Sequence, residues 1–217
     1  MKDALKRYFH DAAVLARKDV LLELRGRETL PAMVLFVVAG LVVFHFAVPT
    51  DDSEDVGAGL LWVVILFTAM LALVRAFVAE REQRLMDGLL LAPCDRSAIW
   101  LGKSLAVLVF LALTELVALP AYAIFFGGLG WSTVAAVCLA NVGIVTVGTL
   151  LAAMASVTRS RELLLPLLFL PLAIPIVVGG VGASIADDPG RYLAFLALYD
   201  AVFAIISWAS FEYVVSE

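Results

Sequence analysis

Side chains able to do chemistry are few in this sequence, and their spacing excludes more reactions than it supports. The two histidines, His10 and His45, stand far apart and no H-E-x-x-H occurs, so a paired-histidine zinc site has no basis. Cys94 and Cys138 make no C-x-x-C. With no disulfide framework or zinc spacing to join, both read as small buried or interfacial hydrophobes. There is no G-x-S-x-G, and a hydrolase would need a nucleophile with a base in hydrogen-bonding reach. Gly102-Lys103-Ser104 has the ending of a phosphate-binding loop, but the glycine required five residues earlier is Ser97. The segment also opens an apolar run instead of following a strand. Lys103 therefore reads as a snorkelling cation, and any energy source lies on another chain. His45 falls near the outer end of the first apolar run, as a satisfied interfacial histidine or, alternatively, a haem or metal ligand. Glu115 and Asp200 are the acids set within apolar runs. Such acids face a bundle interior, where they serve either a proton or substrate path or the packing of helices.

The elements that must position these groups are membrane spans. Of 217 residues 63% are apolar and 16% charged, with a mean hydropathy of +1.02. A soluble domain is about 45–50% apolar and roughly 25% charged, and a disordered chain is poorer still in apolar residues. The expected fold is an all-α membrane protein. Six runs approach the roughly 20 residues that cross a bilayer: about 30–48, 56–79, 99–126, 133–157, 163–185 and 192–213. Charged sequence precedes the first run, which is too long for a cleavable signal. Net charge is −5 with 15 Lys and Arg, so no nucleic-acid footprint exists. The fifth run carries Pro166, Pro171 and Pro175, each deleting a backbone donor, and is expected to bend or break.

Fourteen of the fifteen basic residues fall on one side of this topology, with Arg191 alone on the other. The opposite loops hold Asp51, Asp52, Glu54, Asp55, Asp187 and Asp188. The positive-inside rule then puts both termini in the cytoplasm. Residues 1–29 read as a cytoplasmic amphipathic helix lying at the interface, with Leu5, Tyr8, Phe9, Ala12, Leu15, Ala16 and Leu22 as its apolar stripe. Residues 30–217 form the six-span domain. Between spans two and three, Glu80–Ser97 frames an apolar triplet, Leu89-Leu90-Leu91, with charges that include Glu82, Arg84, Asp95 and Arg96. An exposed triplet of this kind fits a partner's groove, or packs as an elbow on its own bundle.

Three stretches, A-R-K-D-V-L-L-E-L-R-G-R-E (16–28), D-G-L-L-L-A-P-C-D-R-S-A-I-W-L-G-K (87–103) and T-R-S-R-E-L-L-L-P-L-L-F-L-P-L-A-I-P (158–175), resemble the haem exporter protein B (CcmB) family. The likeness runs from about Leu15 to Tyr199. It implies a permease subunit of type-2 ABC exporter topology in the inner membrane, serving c-type cytochrome biogenesis. Implied partners are a cytoplasmic ABC ATPase that binds the ATP, a multispanning haem-handling subunit, a small membrane subunit, an extracytoplasmic haem chaperone and a second copy of the chain. Glu82, Arg84, Leu89, Leu90, Leu91, Asp95 and Arg96 would contact the ATPase. No cofactor is expected to reside in the chain. Haem is the implied cargo, either passing through the subunit or leaving on a chaperone that ATP hydrolysis releases. A proton-coupled secondary transporter using Glu115 and Asp200, and a non-transporting assembly subunit, are the alternatives.

Overall fold

In the computed structural model, residues 2–48, 53–76, 95–156 and 161–216 are described, and all their regular structure is α-helical. The helices are α1 (Lys2–Gly26), α2 (Thr29–Ala47), α3 (Ser53–Arg75), α4 (Arg96–Phe126), α5 (Trp131–Ser156), α6 (Arg161–Ile185) and α7 (Gly190–Ser216). Helices α2 to α7 each hold a stretch long and apolar enough to span a membrane: Thr29–Ala47, Val56–Arg75, Ser97–Phe126, Trp131–Ala155, Leu163–Ile185 and Gly190–Phe211. Even α2, at 19 residues, reaches about 28 Å at 1.5 Å per residue, close to a hydrocarbon core of roughly 30 Å. Residues 77–79 of the second expected span and 157 of the fourth lie outside the described residues.

Helix α5 is the centre of the bundle. It packs along α7 and α6, and more briefly on α4 and α3. Two-thirds of its span (67%) is buried, against 17% for the span in α2. Its small residues explain this, since Ala136, Ala140, Ala152, Ala153 and Ala155 are all buried and let neighbouring backbones approach. Peripheral α2 instead buries one stripe, Met33, Val37 and Leu41, at four-residue intervals that return to the same face. Leu35, Val43 and Phe46 on its other faces are exposed, which costs nothing where lipid is the solvent.

Helix α6 stays unbroken through Pro166, Pro171 and Pro175. Pro175 has no N–H for the Pro171 carbonyl. The Tyr199 hydroxyl of α7 donates a 2.6 Å hydrogen bond to the next carbonyl, that of Leu172, which ties α7 to α6 beside this gap. Among the aromatic residues, Trp62 is fully buried and its indole N–H donates to Ser184 Oγ at 3.1 Å, joining α3 to α6.

Candidate functional site

The first polar cluster forms where α1, the end of α3 and the start of α4 meet. Helix α1 lies along α4. Ala12 is fully buried and Leu15 packs against the core. Gly102 makes this approach feasible, because a Cβ there would stand 2.8 Å from Leu15 Cβ and 3.0 Å from the Ala12 carbonyl oxygen. The apolar stripe expected to rest on lipid is therefore turned at its centre toward α4. Phe9 and Leu22, at its margins, are exposed, and so are Val14, Leu21 and Leu24. Amphipathicity names a face, not what covers it.

Lys103 departs from its reading as a snorkelling cation. It is 4% exposed; its Nζ stands 2.8 Å from Asp19 Oδ2 of α1 and donates to the Ala76 carbonyl at the end of α3 at 2.9 Å. A snorkelling lysine escapes to water, whereas this ammonium is held by a carboxylate and a main-chain oxygen. The corner into α2 is tied similarly: Glu23 Oε1 accepts from the Thr29 and Leu30 amides at 2.6 and 3.0 Å. These are otherwise orphan donors of a helix start. Burial alone would raise the Glu23 pKa, but the hydrogen bonds outweigh it and the carboxyl is held below its ordinary value. Arg27, in the left-handed region at φ 53, makes the bend. The exposed Arg75–Glu28 pair at 3.0 Å adds little, as surface pairs do.

Of the predicted ATPase-contact residues, Asp95 opens α4 as its N-cap. Its Oδ1 accepts from the Ser97 amide at 3.0 Å and from the Ser97 hydroxyl at 2.8 Å, satisfying a free N–H of the first turn. Arg96 is the first residue of α4. Glu82, Arg84, Leu89, Leu90 and Leu91 lie outside the described residues.

The second cluster is inside the bundle. Glu115 is 8% exposed, and its Oε2 accepts from Asn141 Nδ2 of α5 at 2.6 Å. A cavity of about 10 Å³ beside it is lined by Thr68, Thr114 and Glu115 among apolar side chains. Asp200 is 6% exposed and its Oδ1 lies against α5 at Gly143, where a Cβ would come within 2.5 Å of it. The two acids do not form one cluster. Asn141 and Gly143 are two residues apart, about 200° around the helix, so α5 stands between the carboxylates. Asn141 was missed in the sequence, although a signal existed. The turn at 127–130 makes α4 and α5 a hairpin, and Glu115 and Asn141 lie twelve residues before its start and eleven after its end. Farther from the turn, Ser104 and Thr149 also meet, at 2.8 Å.

His45 is exposed near the end of α2, with its ring 5.2 Å from Phe125 and 5.9 Å from Phe126. Among the described residues no three metal-ligating side chains gather. Cys138 is a free thiol exposed on α5, so of the two readings, buried or interfacial, it is not the buried one; Cys94 lies outside the described residues.

Six apolar helices, polar cross-links between them and an amphipathic helix folded against one end define a multi-pass membrane protein. The profile of the CcmB protein family matches residues 10–212, and the chain belongs to that family. It is 30% identical over 177 residues to heme exporter protein B of Bradyrhizobium diazoefficiens, covering 79% of this chain and 80% of that protein. It is 29% identical over 182 residues to heme exporter protein B of Pseudomonas aeruginosa, covering 82% and 81%.

Proposed function

We propose that this chain is the membrane-spanning permease subunit of an ABC complex that exports haem, or releases haem-loaded chaperone, for c-type cytochrome biogenesis. The observation that carries this reading is the family match over nearly the whole chain, with relatives named heme exporter protein B. The chain is a transporter component rather than an enzyme. Bond-breaking belongs to a separate cytoplasmic ATPase, and no cofactor resides in the permease itself. The asymmetry of basic residues supports an orientation with both termini in the cytoplasm, in an inner membrane with α1 on the ATPase side. ATP binding closes the ATPase pair, and the 80–96 segment moves with it. Leu89, Leu90 and Leu91 carry the mechanical contact, and Glu82, Arg84, Asp95 and Arg96 set its polar register. A second copy of the chain, a haem-handling membrane subunit, a small membrane subunit and an extracytoplasmic chaperone complete the assembly.

Tagged purification in mild detergent, with mass spectrometry and a haem absorbance scan, tests this. An ABC ATPase in the eluate is the expected result. Haem retained without the haem-handling subunit supports passage through this chain, and haem found only with that subunit supports chaperone release. An eluate without ATPase, together with loss of function in Glu115→Gln, would overturn the proposal in favour of a proton-coupled transporter.

A further inference from the structure

We infer that Lys103 is a positioning residue that couples the interface helix to the two legs bordering the 77–94 segment, so that α1, the end of α3 and the start of α4 move as one unit. The inference rests on the permease reading. Its support is one buried ammonium reaching three parts of the chain. Lys103 itself sits two turns into α4. Its Nζ meets Asp19 of α1 at 2.8 Å and the carbonyl of Ala76, just beyond α3, at 2.9 Å. Asp19 is half-buried and also meets Lys18 Nζ at 3.0 Å. One residue away, Gly102 brings the α1 backbone into contact with α4, so the ammonium is reinforced by packing.

Stability alone does not account for such a group. A buried ion pair is replaced by well-packed apolar side chains at little or no loss of stability. What apolar side chains do not supply is a directed hydrogen bond to the Ala76 carbonyl. The lysine thereby links α3 to α1 through α4, although among the described residues no extensive packing joins α1 to α3 directly. A displacement delivered to α1, or to either leg, reaches the other two through this nitrogen.

The test is the double variant Asp19→Leu/Lys103→Met, studied as the membrane complex with its ATPase. It keeps apolar packing between α1 and α4 while removing the bond to Ala76. The expected result is unchanged amounts of chain and copurified ATPase and nearly unchanged ATP hydrolysis. Cytochrome c output in cells should fall about tenfold, a magnitude usual for coupling between sites. Wild-type output from this variant overturns the inference. If the double variant fails to accumulate, the exchange Asp19→Lys/Lys103→Asp decides. It restores an α1–α4 pair but turns a carboxylate toward the Ala76 carbonyl, and is expected to hydrolyse ATP without output; wild-type output again overturns the joint. Absence of ATPase from the wild-type eluate is a different failure, which removes the permease reading and the joint with it.

Discussion

Glu115 holds Asn141 by a single buried hydrogen bond, and its substitutions separate structure from proton chemistry. Glu115→Gln keeps an acceptor oxygen of the same reach, so cytochrome c output should survive. Its loss, with the complex still assembled, would instead favour proton coupling. Glu115→Ala strands the Asn141 amide in the bundle and should cost about 1–3 kcal/mol, measurable as a lower melting temperature in detergent. At the proposed ATPase contact, Leu90→Glu is expected to abolish ATPase copurification and cytochrome c assembly, because a carboxylate would have to be desolvated in an apolar groove. Retention of both would remove Leu90 from the contact. Of these residues, Glu115 was legible as an acid in an apolar run. Asn141 was not singled out, because an amide barely disturbs hydropathy and becomes conspicuous only once the α4–α5 hairpin fixes its register.

Between elements, most information was in the hydropathy, and what was missing was the identity of the facing surface. The spans could be placed because each must satisfy its backbone within lipid, which demands length and continuous apolarity. The stripe of α1 could be seen but not assigned, since lipid and a small-residue face of α4 ask for the same side chains. Lys103 misled for a related reason: snorkelling is the rule for a lone cation at a span end, and its partner Asp19 is distant in sequence. Gly102→Val tests the assigned surface. Its side chain would collide with Leu15 and the Ala12 carbonyl, an overpacking cost of about 1–3 kcal/mol. Limited trypsinolysis should then cut at Arg7 and Arg17 faster than in the wild type; unchanged cleavage would mean that α1 does not depend on this contact. The α1–α2 corner adds a pH dependence. Because the Glu23 pKa is depressed, its stabilisation is fully present above the unfolded value and is lost as pH falls through the folded one. Amide exchange at Thr29 and Leu30 should accelerate in that acidic window, and Glu23→Gln should flatten the response.

For the whole molecule, the function depends on which side of the membrane carries α1. The Lys103 contacts put α1, the end of α3 and the start of α4 at one end of the bundle. The 127–130 turn is at the far end of α4, and Asp187 lies at the matching connection between α6 and α7. In the topology expected from the sequence fourteen basic residues fall on the α1 side, and the positive-inside rule would put that side in the cytoplasm. Single cysteines introduced into a Cys94→Ala/Cys138→Ala chain read this directly with a thiol reagent that does not cross membranes. Asp187→Cys, at an exposed position, should be labelled on intact cells or spheroplasts. Arg7→Cys should be labelled only after permeabilisation. The reverse pattern would place α1, Asp95 and the root of the 77–94 segment outside the cell, beyond reach of any ATP-hydrolysing partner. Lys103 would then join three segments that receive no nucleotide-driven motion, and it would couple nothing to ATP hydrolysis.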